Sequence, residues 1–483
     1  MLFLVTLILG GEKVRGERVI KVLNPATEEV VGEVWEAGRE ETRRAVDLAL
    51  ESFQIFSRLS IKDRAKVLVR ASEILASRSE EVARLLTTES GKPIRDSRVE
   101  VSRAVQLFRI AAEEARIVLE GKTFRVDGYE YPPGNERRLV LSLREPLGVV
   151  GAILPFNFPA NSFAHKVAPN LVVGNTVVVK PSSSTPLTAL LMGEILYQAG
   201  LPKGTLSVLP GGGDSVGEEL VSNRKVSGIT FTGSTPVGTS IASRAVSLGK
   251  RVMAEMGGSD PIIVLEDADL DKAVQVSVRA RFEYAGQNCN AGKRILVQEK
   301  VYSRFLEEYV KRVKELNVGD PLDESTEVGP VISKKAKEDM AKLVEDSRRK
   351  GGSVYSGKAL ETGFFFPPTV VGEAGLDMEV MKREVFGPIA PVARFSTDGE
   401  AVEMANSTEY GLQASVFTSD LKRGLRIARE LRTGAVILND STRLRWDALP
   451  FGGVKLSGVG NREGVRNTML AMTEEKLISM DVW

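Results

Sequence analysis

At 483 residues and 42% hydrophobic content, the chain exceeds one ordinary domain and can bury more than one core. Its 65 Lys+Arg nearly cancel its 64 Asp+Glu, and no basic block is long enough to track a phosphate backbone, which argues against a nucleic-acid partner. The single cysteine excludes an internal disulfide framework, and a cytoplasmic protein fits that usage.

The apolar start, residues 1–9, lacks a basic leader and a small-residue cleavage site and is too short to span a bilayer. Residues 4–9, running into Gly10-Gly11, read as one strand and a turn. Val67, Leu68, Ala71, Ile74 and Leu75 then recur at helical spacing, and a second periodic run from Glu80 stops at Gly91 with Pro93 just beyond. The stretch 124–143 alternates, turns at Pro132-Pro133-Gly134-Asn135 and alternates again through Leu139, Leu141 and Leu143, as a projecting hairpin would. From Leu147 the short apolar runs 149–154, 176–179 and 228–232 alternate with helical patterns, which predicts a parallel sheet with crossover helices. A second set follows Asp260: strands at 261–265, 294–298, 414–418 and 436–439, with long helices such as 301–316 between them. The fold class is α/β, with two lobes.

The chemistry-bearing residues are few. Cys289 lies in Ala285-Gly286-Gln287-Asn288-Cys289-Asn290, a small, polar stretch between regular segments, so it is either a nucleophile or an inert core thiol. His165 is the only histidine and sits in an expected helix, 161–173, where packing is its ordinary role. A Cys-His pair is therefore hard to build, and another base or electrostatic activator is required. No second His or Cys lies near it, so no metal is expected. Glu255, in Met253-Ala254-Glu255-Met256-Gly257-Gly258, is either a solvated loop carboxylate or a desolvated one with a raised pKa suited to general base work. Phe231-Thr232-Gly233-Ser234-Thr235-Pro236-Val237-Gly238 reads as strand, glycine turn and helix, a place where free N–H groups receive an anion. Its spacing is neither a G-x-G-x-x-G fingerprint nor a P-loop, since Thr239 stands where the P-loop lysine would be.

Taken together and in order, these stretches resemble the aldehyde dehydrogenase superfamily over essentially the whole chain. The likeness rests on Pro155-Phe156-Asn157-Phe158-Pro159, Gly174-Asn175, Val179-Lys180-Pro181, the segment from Phe231 to Gly238, Glu255-Met256-Gly257-Gly258, Gly286-Gln287-Asn288-Cys289, Glu384-Val385-Phe386-Gly387-Pro388 and Pro450-Phe451-Gly452-Gly453. It implies that Cys289 attacks an aldehyde, that the Asn157 amide and the Cys289 backbone N–H stabilise the oxyanion, and that Glu255 activates the water that hydrolyses a thioester. It further implies an NAD or NADP site built from Pro155, Phe156, Lys180, Ser182, Ser183, Gly213, Phe231, Gly233, Ser234, Met256, Gly257, Glu384 and Phe386. Within the superfamily the pattern is most like the lactaldehyde and non-phosphorylating glyceraldehyde-3-phosphate branches, and Arg443 or Arg445 is expected at the substrate mouth.

The resemblance also implies a division of the chain: residues 1–121 with 145–255 bind the dinucleotide, 256–475 carry the catalytic lobe, and 122–144 with 476–483 form an oligomerisation arm of a homodimer or homotetramer. Two departures stand out. Ser259 replaces the lysine common after the double glycine, and Asn288, before the nucleophile, is expected to alter the substrate pocket. Ser183 stands where NAD-preferring relatives commonly carry a glutamate, so NADP is expected to be accepted at least as well as NAD. The rivals are a relative that passes its acyl group to coenzyme A, against which the presence of Glu255 argues, and a catalytically silent binding protein on the same fold.

Overall fold

Runs of β-branched residues with no polar alternation must be covered on both faces, and they form the centre of the fold. In the computed structural model, which describes residues 4–482, the strands Val149–Ile153, Thr176–Lys180 and Asp260–Val264 are buried at every position. The first three residues and Trp483 lie outside the described residues, and with them the start of the expected dinucleotide-binding segment and the end of the expected arm.

Two large sheets result. The first has eight strands, in the order Gly458–Gly460, Arg251–Glu255, Val226–Thr232, Val149–Ile153, Thr176–Lys180, Leu206–Val208, Leu7–Leu9 and Glu12–Val14. Its five central strands are parallel, and the three at the two edges are antiparallel. Val149–Ile153 is the first of the five in the chain. Later strands are laid down on both of its sides, so the order reverses beside it, at the junction with Val226–Thr232, and a crevice opens there at the carboxyl ends. The second sheet has seven strands, Ser353–Ser356, Thr369–Gly372, Ile389–Phe395, Gly292–Gln298, Asp260–Val264, Gln413–Phe417 and Ala435–Leu438, all parallel except the first.

Several expectations shift. Residues 4–9 form two strands: Leu4–Val5 pairs with Val30–Glu36 in a small three-stranded sheet, and Leu7–Leu9 turns over Gly10 (φ 59°) and Gly11 (φ 93°) to pair with Glu12–Val14 in the large one. An apolar run fixes burial and leaves the choice of sheet open. The expected helix at 301–316 is Glu299–Lys314, and that at 161–173 begins at Pro159. The strands Leu206–Val208, Arg251–Glu255, Ser353–Ser356, Thr369–Gly372 and Ile389–Phe395 add to those expected. The stop at Gly91 is as predicted: it ends the Ser79–Ser90 helix with φ 72°, where a Cβ would lie 2.7 Å from Pro330 Cγ.

The hairpin is present, with Lys122–Phe124 antiparallel to Arg138–Pro146. The tail pairs with it from Thr473, earlier than Lys476, in a nine-residue register from Thr473↔Pro146 to Asp481↔Arg138. Just before it, Gly458–Gly460 joins the first sheet beside Arg251–Glu255, so the chain has returned to the first lobe well before residue 475. No helix of the described residues is long and apolar enough to cross a membrane.

Candidate active site

The carboxyl ends of the first sheet open into a cavity of about 600 Å³. Leu154-Pro155-Phe156-Asn157 follow Val149–Ile153, Lys180 ends its strand, Thr232 ends Val226–Thr232 with Gly233-Ser234 after it, and Glu255 ends Arg251–Glu255 with Met256-Gly257 after it; all line this cavity. The Thr235–Ser247 helix begins here without a side-chain cap on its first amides, so donors remain for an anion. Gly233 lies so close to the Phe231 ring that a Cβ would come within 2.6 Å of it, and a Cβ on Gly257 would meet Glu384 Oε2 at 2.2 Å. Glycine at both positions lets these side chains pack directly against the backbone of the cavity wall.

The second lobe supplies the opposite wall. Tyr284, Ala285 and Gly286 all have positive φ, at 51°, 51° and 70°. At Gly286 a Cβ would meet Gly387 O at 2.7 Å, so the strained turn fits only glycine there and delivers Cys289 to the cavity. Gln287 is fully buried and anchors the turn: its Oε1 accepts from Ile332 N at 2.8 Å, and its carbonyl accepts from Asn157 Nδ2 at 2.9 Å. Asn157 and the nucleophile segment are thus directly tied. Arg281, also fully buried, donates to Ile389 O at 2.6 Å and Val385 O at 3.1 Å and fixes the segment that presents Glu384 and Phe386. Phe386 meets Phe156 edge to face across the cavity, with centroids 5.8 Å apart.

Asn288 departs from expectation. It does not line the cavity; its side chain is fully buried and donates back to Glu283 O at 3.0 Å. The residue after the nucleophile, Asn290, lines the cavity instead, held by Gln413 Oε1 at 2.8 Å.

The charges are arranged asymmetrically. Burial pushes the Cys289 thiol up to about 11, and the ammonium of Lys293 is the main opposing influence. Lys293 donates to Cys289 O at 2.5 Å and to Glu384 Oε1 at 2.8 Å with its own side chain fully buried. The cation nearest the thiol is therefore a lysine and not the lone histidine. Glu255 is buried, with Oε2 unpartnered and Oε1 only 3.4 Å from Glu463 N; burial, reinforced by the Glu463 charge, pushes its pKa up to about 8. Glu463 is equally buried, yet Lys166, His165 and Arg445 outweigh that burial and hold it well below the usual carboxylate range. Burial lowers Lys180, whose Nζ finds only Pro181 O at 3.2 Å.

At the far end both arginines reach the cavity, with different freedom. Arg445 donates to Glu463 Oε2 at 2.9 Å and lies 4.0 Å from the Phe451 ring centroid. Arg443 pairs once, with Glu283 Oε1 at 2.9 Å, leaving Nε and Nη1 buried and unpartnered. His165 is 1% exposed, so packing is part of its role, and its Nε2 sits 2.9 Å from both Asp447 Oδ1 and Arg445 Nη2 on the cavity wall. Of the site residues read from the sequence, only Gly213 lies off the cavity, in an exposed turn at the start of Gly213–Gly217.

The aldehyde dehydrogenase family pattern matches residues 12–478. The chain belongs to that family. A lactaldehyde dehydrogenase of Methanocaldococcus jannaschii is 40% identical over 95% of this chain and 96% of its own length. A mitochondrial succinate-semialdehyde dehydrogenase of Oryza sativa subsp. japonica is also 40% identical, over 98% of this chain and 89% of its own. A crystal structure of glyceraldehyde-3-phosphate dehydrogenase GapN from Methanocaldococcus jannaschii, complexed with NADP, superposes with a TM-score of 0.90 at 39% identity, covering 97% of this chain and 99% of that one.

Family motifs pointed to the residues that face the cavity, whereas Lys293, Arg281, Asn290 and Glu463 carry no motif that singles them out. All four pair with residues about 90 or more positions away: Lys293 with Glu384, Arg281 with Ile389, Asn290 with Gln413 and Glu463 with Lys166. Because Cys289 is the only cysteine, alkylation reports on it alone. Lys293→Met is expected to move the pH midpoint of Cys289 alkylation by iodoacetamide upward by about one unit or more. Intact-protein mass spectrometry across pH reads this directly, and an unmoved midpoint would remove Lys293 from thiol activation.

Proposed function

We propose that this aldehyde dehydrogenase oxidises a small anionic or hydroxylated aldehyde to its carboxylic acid, with Cys289 as nucleophile, Asn157 as oxyanion donor and Glu255 as the base for hydrolysis. The observation that supports this most is that one cavity is lined jointly by Cys289, Asn157, Glu255 and most of the residues expected at the cofactor. In this reading the Cys289 thiol loses its proton to water, its sulfur bonds to the aldehyde carbon as the carbonyl π pair moves to oxygen, and the alkoxide formed is held by Asn157 Nδ2 and the Cys289 backbone N–H. A donor of this kind commonly contributes about 3 kcal/mol. A bound nicotinamide ring supplies the hydride acceptor, leaving an acyl group on Cys289. Glu255 then takes a proton from water, the water oxygen bonds to the acyl carbon, the carbon–sulfur bond breaks to release the acid, and the proton on Glu255 passes through water to the departing Cys289 thiolate.

The raised pKa of Glu255 gives that last step a pH signature. Only the carboxylate form accepts the proton, so hydrolysis should climb with pH up to about 8 and level off above it. Cys289→Ala is expected to abolish oxidation. Glu255→Gln should still give one equivalent of NAD(P)H at 340 nm and then stall with an acyl-enzyme detectable by mass. Absence of both burst and adduct, or normal turnover, overturns the assignment. Stimulation of turnover by coenzyme A would favour the acyl-transferring alternative, which the presence of a buried Glu255 argues against.

The unpartnered guanidinium donors of Arg443 support an anionic substrate, such as a semialdehyde or a phosphorylated hydroxyaldehyde. In a screen of aliphatic, hydroxy, semialdehyde and phosphorylated aldehydes, Arg443→Ala should lower kcat/KM for the anionic members about 10- to 100-fold and barely touch neutral ones. An unchanged anionic-to-neutral ratio would count against Arg443 as the reader.

For the cofactor we infer that NADP serves at least as well as NAD. The Ser183 hydroxyl is on the cavity wall with only a weak contact, 3.5 Å from Gly211 O, and Lys180 is on the same wall. A hydroxyl donor and an ammonium suit a ribose phosphate, while a carboxylate at Ser183 would repel it by up to about 4 kcal/mol. Ser183→Glu should therefore cut the NADP-to-NAD ratio of kcat/KM at least about tenfold, a ratio measured at saturating aldehyde. A strong NAD preference in the unaltered enzyme would show that selectivity is set elsewhere. We further infer a cytoplasmic homodimer or homotetramer built through the arm, along which Phe124, Leu139, Leu143, Leu477 and Ile478 are exposed.

A further inference from the structure

Asn157 and Gln287, 130 residues apart, meet at the centre of the site, and one buried lysine touches the segments of both. Lys92 follows the left-handed Gly91 and is 1% exposed. Its Nζ donates to the backbone carbonyl of Asn157 at 2.7 Å and to Glu100 Oε2. The same ammonium lies 3.8 Å from the Phe158 ring centroid and 4.7 Å from that of Tyr284. Glu100 completes the arrangement: its Oε1 accepts from Ala160 N at 3.0 Å and Asn161 N at 3.1 Å, the first turn of the Pro159–Val173 helix. On the other side, Tyr284 Oη donates to Ser90 O at 3.0 Å, next to the turn that carries Lys92 and at the head of the strained loop that delivers Cys289.

Neither Lys92 nor Glu100 lines the cavity, so neither is in a position to touch substrate. As a source of stability the pair is poor, because two charges removed from water commonly do no better than a packed apolar pair. What a charged pair offers that an apolar pair does not is direction. Phe158 has a non-helical backbone, φ −139° and ψ 64°, and the Asn157 carbonyl just before it would be free to swing if nothing held it. Lys92 fixes that carbonyl, Glu100 fixes the two amides beyond it, and the Asn157 side chain is left aimed at the nucleophile segment. Catalytic geometry of this kind tolerates little error, about half an ångström.

We propose that Lys92, oriented by Glu100, is a positioning residue that sets the Asn157 amide against Cys289, an inference that rests on the reading of Asn157 as the oxyanion donor. The test uses the full-length enzyme, NADP and the most rapidly oxidised aldehyde of the screen above. In Lys92→Met the rate of the first NADPH burst should fall about 100-fold, with the Kd for NADP and the KM for aldehyde changed less than about twofold. Lys92→Arg, which keeps a donor, should recover much of the loss. In an Asn157→Ala background, Lys92→Met should cost less than about a further threefold, because both changes remove one effect. A wild-type burst in Lys92→Met, or a loss that multiplies fully with Asn157→Ala, overturns the proposal. If Lys92→Met does not fold, Glu100→Gln, which retains an acceptor for the helix amides, should show the same non-additive pattern at about tenfold, and a wild-type burst there is equally fatal. Asn157→Ala at full speed is a different result: it refutes the oxyanion reading itself.

Discussion

Everything at this site depends on strand polarity. In a parallel sheet all strands end at one rim, so the loops that follow them converge there whatever their separation in the chain. The first sheet delivers Asn157, Lys180, Gly233 and Glu255 from its carboxyl rim. The second sheet presents its other rim: Cys289 precedes Gly292–Gln298, and Glu384 and Phe386 precede Ile389–Phe395. A carboxyl rim facing an amino rim closes a cavity with Lys180 and Gly233 on one side and Cys289 on the other.

The two buried carboxylates show how one site holds opposite protonation states. Glu255 and Glu463 approach within one backbone contact, yet only Glu463 is directly paired with the nearby cations, Lys166 and Arg445. Pairing keeps Glu463 ionised, and its charge together with burial keeps a proton on Glu255 to higher pH. Environments that push two like groups apart in this way are how acid and base roles are divided at neutral pH. The Lys293 ammonium opposes, without outweighing, the burial that raises the thiol.

The parts legible in the sequence were those in which chemistry is local. Buried β-branched runs gave away the parallel strands, Gly91 and Pro93 gave the helix stop, and the motifs around Asn157, Glu255, Cys289 and Glu384 named the cavity wall. What stayed hidden was set by partners far along the chain. Lys92 is an ordinary lysine until the fold brings it to Asn157, and Glu463 an ordinary glutamate until Lys166 reaches it. Asn288 was misplaced for a related reason: adjacency to the nucleophile does not say which way a side chain turns, and in a loop with positive φ at Tyr284 and Ala285 it turns inward. Residues 4–9 were read as one strand because periodicity records burial and is silent on which sheet does the burying.

The solitude of Cys289 sets how this enzyme meets oxidative stress. A thiolate activated enough to attack a carbonyl is also attacked by peroxide, and its sulfenic acid is usually rescued when a neighbouring cysteine condenses with it. This chain has no second sulfhydryl to do so. An oxidised Cys289 therefore has no partner for an intramolecular disulfide, and a thiol that reduces it must come from another molecule, through the cavity on whose wall Cys289 lies.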